Sequence, residues 1–292
     1  MTTSTSTQVL EKVIAPETHI GAVTLSVADL ARSLDYYQHS IGLKLLNKTN
    51  DTAALGAGDR VLLRLREFSG ARLVRRATGL YHFALRVPTR RDLARIIQHF
   101  FDSGTALGGA SDHLVSEALY LSDPDGHGIE MYRDRSRETW FDAQGNLIGG
   151  TNPLDVRGVM SELTADEPAW NGLPDATDMG HIHLQVANIA DANKFYLGVL
   201  GFEPTGQMPS ASFISAGQYH HHIGMNTWAG VGVPPPPETA ARLLSYEIVL
   251  PNQVALDAVL NRIRAADAPL SESADSWAVR DPSHNLVALR VN

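Results

Sequence analysis

The stretch Asp112–Tyr132, DHLVSEALYLSDPDGHGIEMY, has the pattern of two β-strands joined by a tight turn. The DPDG sequence at 123–126 is turn chemistry, because proline sets φ and glycine tolerates a positive φ. Alternation along the second strand places Glu130 on the face opposite Ile129 and Met131. A carboxylate on an inward face is costly unless a cation neutralises it. Glu130 is therefore either a solvent-facing residue or a candidate cation ligand, and histidines elsewhere in the chain bear on the choice.

Composition bounds the classes of function. The 292 residues are 43% hydrophobic with a net charge of -8, which argues against nucleic-acid partners and basic membrane-binding surfaces. No apolar run reaches the roughly 20 residues needed to span a bilayer. The chain has no cysteine, which excludes disulfides and thiolate ligands and fits a cytoplasmic protein. Residues 1–16 lack the features of a signal peptide and are predicted to be a disordered tail.

An internal repeat organises the rest of the chain. Gly21–Leu43 aligns with Gly180–Phe202 without a gap, at an offset of 159 (180 - 21). Each copy predicts a strand followed by an Asx-capped amphipathic helix. A second pair is marked by DPDG at 123–126 and DPSH at 281–284, at an offset of 158 (281 - 123).

The repeats predict an α+β fold of four βαβββ modules, beginning near residues 19, 80, 179 and 243 and forming two incomplete mixed β-barrel domains. We expect an N-terminal domain over 17–134 (modules 1 and 2), a connector over 135–178, and a C-terminal domain over 179–292 (modules 3 and 4).

Equivalent positions of the modules differ in their polar residues. The first-strand position holds a histidine in module 2 (His82) and module 3 (His181), but Ala22 and Ser245 in the other two. The last strand holds Glu130 in module 2 and Ala288 in module 4. Two imidazoles and one carboxylate on rigid strands match the facial triad of non-haem Fe(II) oxygenases, and the same set suits Zn(II) or Mn(II). His82, Glu130 and His181 are therefore the predicted metal ligands.

Three motifs also carry a resemblance to a known family. GHIHLQV at 180–186, the stretch at 112–132 and YHHHIGMNTW at 219–228 resemble the vicinal-oxygen-chelate superfamily, and within it type I extradiol dioxygenases of the bacillar catechol 2,3-dioxygenase kind. The resemblance implies Fe(II)-dependent cleavage of a catechol by O₂, giving a 2-hydroxymuconic semialdehyde. It also implies a small aromatic diol as substrate and a homo-oligomer.

Carried over residue by residue, the resemblance assigns His82, Glu130 and His181 to the metal. It makes His222 the acid/base histidine, and His113 and Tyr120 the residues that contact substrate oxygens. Which of the three consecutive histidines at 220–222 faces the cleft stays open; we favour His222, since strand alternation puts its neighbour on the opposite face. His183 shares a face with His181 and either orients a ligand or fills a buried hydrogen-bonded position.

Alternatives remain for the cleft and for the function. In much of the family the third and fourth modules supply the ligands, whereas here the fourth module has no ligand residue at the equivalent positions. We therefore expect modules 2 and 3 to pair around the metal; a cleft between modules 1 and 2, with only His82 and Glu130, is the alternative. The rival functions are a glyoxalase-like isomerase or lyase, which usually brings a second carboxylate to the metal at the place where His222 stands here, and a metal-free binding protein.

Overall fold

The computed structural model describes residues 12–292. Most of the tail predicted over 1–16 lies outside these residues. The prediction is wrong for residues 12–16, because Ile14 is buried and its N–H donates to the Gly201 carbonyl at 2.8 Å. An apolar side chain placed against the end of a helix orders this short segment.

The described chain contains 17 β-strands and few helices. The strands are β1 (His19–Val27), β2 (Lys44–Lys48), β3 (Thr52–Ala57), β4 (Arg60–Glu67), β5 (Gly79–Arg86), β6 (Gly109–Asp112), β7 (Ser116–Ser122), β8 (Gly128–Asp134), β9 (Asn152–Pro153), β10 (Asp178–Gln185), β11 (Glu203–Met208), β12 (Ala211–Ser215), β13 (Ile223–Asn226), β14 (Leu243–Leu250), β15 (Leu270–Glu272), β16 (Trp277–Arg280) and β17 (Leu286–Val291). The α-helices are α1 (Leu30–Asp35), α2 (Arg90–Ser103), α3 (Val156–Met160), α4 (Ile189–Asn193) and α5 (Gln253–Ala265).

The strands form two mixed sheets, and neither closes into a barrel within the described chain. The first sheet has the order β15-β16-β17-β14-β1-β4-β3-β2 and contains modules 1 and 4. The second has the order β11-β12-β13-β10-β5-β8-β7-β6-β9 and contains modules 2 and 3. The predicted α+β class with four βαβββ modules is confirmed. Each sheet takes one module from each half of the chain, so the sheets cut across the division predicted at 134 and 179.

The helices of modules 1 and 3 show the repeat in detail. Asp29 and Asn188 cap α1 and α4 by accepting backbone N–H bonds from residues three positions on. Both helices continue as a π-helical segment that ends at a left-handed glycine, with φ of 89° at Gly42 and 88° at Gly201. Glycine is required at these two ends because other residues disfavour that conformation.

The two faces of the second sheet differ in polarity. One face joins the main hydrophobic core, in the same cluster as the buried side of α2. The apolar residues on this face are Phe83, Leu85, Ile129, Met131, Ile182 and Leu184. The opposite face carries the predicted metal ligands. Among residues 12–292, none of the helices combines the length and the apolar character needed to cross a bilayer.

Candidate metal centre

The three predicted ligands come from adjacent strands of the second sheet. His82 lies on β5, Glu130 on β8 and His181 on β10, and one ligand atom from each lies within 4.8 Å of the others. Glu130 Oε2 is 3.0 Å from His82 Nε2 and 3.1 Å from His181 Nε2. In register, Ala84 stands opposite both Glu130 and His181. Its small side chain leaves the space into which the three ligand atoms converge.

The electrostatics of this cluster suit a cation. Burial lowers the pKa of His181 to about 4, against the opposing pull of Glu130, so its imidazole is neutral at pH 7. Burial raises the pKa of Glu130, but the neighbouring His181 and His82 outweigh it and hold that pKa well below its usual range. The His82 Nε2 atom is buried and makes no well-directed hydrogen bond. A carboxylate beside an imidazole nitrogen that lacks a hydrogen-bond partner is a set of donor atoms suited to a divalent metal.

Tyr120 and His113 lie beside this cluster as a hydrogen-bonded pair. Tyr120 stands opposite Glu130 in the β7/β8 register, and its ring centroid is 5.9 Å from that of His82. His113 Nδ1 is 2.8 Å from the Gly150 carbonyl, which can only accept, so Nδ1 carries the proton. His113 Nε2 then accepts from the Tyr120 hydroxyl at 2.6 Å. The lone pairs of the Tyr120 oxygen stay free to accept a second bond.

The histidine run is placed differently from the prediction. His221, not His222, lies against the three predicted ligands, with its ring centroid 4.2 Å from that of His181. His222 packs on Tyr219 and its Nδ1 accepts from the Ala216 N–H at 3.1 Å. It lines a cavity of about 420 Å³ that includes none of the three ligands. Strand alternation misassigned these residues because β13 begins only at Ile223, so the run lies in the preceding turn.

His183 has a fixed orientation that the sequence left open. The Trp228 N–H donates to Asn226 Oδ1 at 3.0 Å, which settles the amide orientation. The Asn226 amide nitrogen therefore donates to His183 Nε2 at 3.0 Å. Neutral His183 then carries its proton on Nδ1, and burial holds its pKa well below the usual value. Its ring centroid lies 5.1 Å from that of His82, so a hydrogen-bond donor stands at the edge of the cluster.

The first sheet holds an ion cluster instead of ligands. Glu247 on β14 accepts from Arg64 Nη1 at 2.6 Å and from Arg290 Nε at 2.9 Å. Its Oε2 also accepts from the Ala22 N–H at 3.1 Å. Burial raises the pKa of Glu247, but the two arginines outweigh it and lower that pKa overall. This carboxylate is already satisfied, which leaves nothing for a metal to bind.

A second cavity, of about 490 Å³, lies beside the three predicted ligands. Its lining includes His82 and Tyr120, together with Tyr81. Aromatic rings border the cluster on this side, since the Tyr81 centroid is 5.1 Å from those of His183 and Trp228. The volume is that of a small-molecule site.

Comparisons with known proteins identify the family of this chain. The sequence matches the family described as the glyoxalase/bleomycin resistance protein/dioxygenase superfamily over residues 19–131 and 178–289. It is 46% identical over 275 residues to a catechol-2,3-dioxygenase of Bacillus subtilis (strain 168), covering 92% of this chain and 95% of that protein.

Solved structures share the fold at low sequence identity. A putative dioxygenase from Bacillus subtilis has a TM-score of 0.63 at 13% identity, over 96% of this chain and 86% of that one. Glyoxalase I from Zea mays has a TM-score of 0.57 at 15% identity, over 94% of this chain and 92% of that one. With its paired modules, its buried ligand cluster and these matches, the chain belongs to the glyoxalase/bleomycin resistance protein/dioxygenase superfamily.

Proposed function

We propose that this protein is an Fe(II)-dependent extradiol dioxygenase that cleaves catechol or a substituted catechol with O₂ and gives a 2-hydroxymuconic semialdehyde. The observation that carries the proposal is the buried cluster of His82, Glu130 and His181 in a chain 46% identical to a catechol-2,3-dioxygenase. Iron is preferred to Mn(II) through the resemblance, since the donor set suits both. We propose a cytoplasmic homo-oligomer as the working form.

The metal, when bound to these three residues, would lower the pKa of a catechol hydroxyl and hold the two reactants side by side. The chain supplies the groups around it. The Tyr120 hydroxyl donates its hydrogen bond to His113 Nε2. Its oxygen is therefore free to accept a hydrogen bond from a substrate hydroxyl. The Gly150 carbonyl fixes His113 in the tautomer that this requires. Burial and the charge of Glu130 raise the pKa of Tyr120, so it stays a phenol in the metal-free protein.

His183 lies beside the three predicted ligands, with its ring centroid 5.1 Å from that of His82. His183 presents an N–H at Nδ1, since Asn226 occupies Nε2. It can donate to an oxygen that develops negative charge. The aromatic side chain of Tyr81 lines the cavity, with the ring of Trp228 5.1 Å behind it, and can contact the face or edge of a substrate ring. These contacts favour a flat aromatic diol over an aliphatic one.

The test is anaerobic reconstitution with Fe(II), followed by catechol addition in an oxygen electrode with absorbance recorded for the yellow product. We expect stoichiometric O₂ uptake that is lost in both Glu130→Ala and His181→Ala. Glu247→Ala is the matched control, because it removes a part-buried carboxylate from the other sheet. Activity that survives in His181→Ala would contradict the ligand set. Absence of O₂ uptake with both Fe(II) and Mn(II) would favour the isomerase or the metal-free binding protein.

A further inference from the structure

The cavity of about 490 Å³ beside the predicted ligands carries an unbalanced set of charges. The whole chain has 32 acidic residues against 24 lysines and arginines. Within the described chain, the lining of this cavity contains two arginines, Arg75 and Arg242, and no aspartate or glutamate. This local excess of positive charge runs against the composition of the protein, and it shares one cavity with His82 and Tyr120.

Arg242 lines the cavity without a carboxylate to neutralise it. Among residues 12–292 no ion pair includes its guanidinium, and its buried Nε atom has no hydrogen-bond partner. Its Nη1 atom reaches only the Leu243 carbonyl, at 3.5 Å. Burial lowers the pKa of Arg242 against the weaker attraction of Glu238. A partly desolvated guanidinium with unused donors is a favourable place for an anion to bind.

The backbone of Arg242 is fixed relative to the sheet that carries the ligands. Its N–H donates to Ser26 Oγ at 2.9 Å, and its carbonyl accepts from the Ser26 N–H at 2.9 Å. His127 Nε2 lies 2.9 Å from the Ser26 carbonyl, and β8 begins at the next residue, Gly128. Ser26 therefore links Arg242 to the start of the strand that carries Glu130.

Arg75 reaches the same cavity from a separate segment. The residues before β5 and those before β14 lie side by side, because Leu73 pairs with Ala241 and the Ala241 N–H donates to the Arg72 carbonyl at 3.2 Å. Two adjacent segments thus bring both arginines to one cavity. Arg75 is exposed, and no ion pair within residues 12–292 includes it, so its guanidinium is able to move onto a bound anion.

The cavity is longer than a catechol ring requires. Its lining follows β5 from Gly79 to His82, three steps that span roughly 10 Å at about 3.3 Å per residue. A ring whose hydroxyls lie at His82 and Tyr120 therefore leaves room for a side chain. Arginine keeps its charge at all ordinary pH values, so the two guanidinium groups are the permanent charges that such a side chain meets.

We propose that the substrate is a catechol whose ring carries an anionic side chain, and that Arg242 and Arg75 bind the anionic group. The inference rests on the proposed function and names the class of ring substituent at the same site. A carboxylate accepts two parallel N–H bonds from a guanidinium, which suits arginine better than lysine. These residues determine specificity and take no part in ring cleavage, so their contribution belongs to KM more than to kcat.

The first test compares two substrates that differ only in charge, dihydroxyphenylpropanoate and its amide, on the Fe(II)-loaded protein. We expect kcat/KM to favour the carboxylate about 10- to 100-fold, because a hydrogen bond to a charged group contributes more than one to a neutral group. High salt should reduce this preference. Equal kcat/KM values for the two substrates would overturn the proposal.

Variants assign the preference to particular residues. Arg242→Gln should raise KM for the carboxylate and leave KM for the amide nearly unchanged, and Arg242→Lys should restore part of the difference. Arg75→Gln changes an exposed side chain, so the fold is retained, and we expect a smaller loss in the same direction. Arg280→Gln is the matched control, since it removes a guanidinium that influences Arg242 from outside the cavity lining. A preference that persists in both Arg242→Gln and Arg75→Gln, or that Arg280→Gln abolishes equally, would refute the assignment.

Binding to the metal-free protein separates this inference from the proposed function. Phenylpropanoate has no diol, so its affinity in titration calorimetry reports the anion-binding groups alone. We expect it to bind more tightly than neutral phenylpropanamide, and we expect the difference to disappear in Arg242→Gln. That result without O₂ uptake from any catechol would refute the proposed function alone. Ring cleavage that does not discriminate between the charged and neutral substrates would refute the anionic side chain alone.

Discussion

His222 was expected in the cleft, and its actual place gives it a role in stability. Burial lowers its pKa from 6.5 to about 3. Between those values the unfolded chain binds a proton that the folded chain does not, so the free energy of unfolding falls as the pH falls. This contributes a loss of about 2 kcal/mol between pH 7.5 and pH 5, at 1.36 kcal/mol per pKa unit.

The measurement is urea denaturation of the metal-free protein at the two pH values, for the wild type and for His222→Asn. The asparagine oxygen can still accept from the Ala216 N–H but does not titrate. We expect a smaller loss of stability on acidification in the variant. Equal losses in the two proteins would show that His222 has an ordinary pKa.

At single residues, the sequence singles out candidate ligands where a repeat supplies the comparison. Glu130 and His181 stand out because the equivalent positions, Ala288 and Ala22, are apolar. No such comparison orients the histidine run, whose direction depends on a turn before β13. Nor does sequence reveal that the Gly150 carbonyl fixes His113, because that contact joins residues 37 positions apart.

At the scale of an element, the two tight turns show how one device is built from different residues. Asp123 Oδ1 accepts the N–H groups of Asp125 and His127, and Asp281 Oδ1 accepts those of Ser283 and Asn285. The positive φ falls on Gly126 at 91° in one turn and on His284 at 67° in the other. The repeat predicts both turns, but not that a histidine adopts the left-handed conformation.

This difference predicts unequal effects of alanine in the two turns. Gly126→Ala introduces a side chain at a φ of 91° and brings its Cβ to 3.0 Å from Leu73 Cδ2, so we expect a loss of about 1–2 kcal/mol. His284→Ala is the control, because that position already carries a side chain, and we expect a change under about 0.5 kcal/mol. Chemical denaturation of both variants measures the difference; a neutral Gly126→Ala would mean that the turn relaxes to another conformation.

The connector over 135–178 makes structural contacts that the sequence does not predict. Its β9 pairs with β6 and extends the second sheet. Its Trp140 is buried against His220, and its Gly150 bonds to His113. The polar composition of this segment indicates a loop, and these few long-range contacts bring it against His220 and His113, which lie near the predicted ligands.

Across the whole molecule, the two sheets share one architecture but surround their inward-facing glutamate with different partners. In the first sheet, Glu247 is neutralised by Arg290 on the adjacent strand β17 and by Arg64 on β4, which lies two strands away. In the second, Glu130 Oε2 lies 3.0 Å from His82 Nε2 and 3.1 Å from His181 Nε2, and no arginine of the described chain pairs with it. The strand junction between β5 and β10 brings His181 from the C-terminal half to residues of the N-terminal half. A metal at this point would therefore link the two halves of the chain.

That link predicts metal-dependent stability of the whole fold. A ligand that binds only the folded state at 100 times its Kd stabilises it by about 2.7 kcal/mol. For a chain of this size, this corresponds to a rise in Tm of roughly 4–5 °C on adding Mn(II) to the metal-free protein. Glu130→Gln removes the ligand charge and should abolish the rise. Glu247→Gln should lower the starting Tm, since it weakens two part-buried ion pairs, but keep the rise intact. A rise that persists in Glu130→Gln, or that disappears in Glu247→Gln, would place the stabilising metal elsewhere than between β5, β8 and β10.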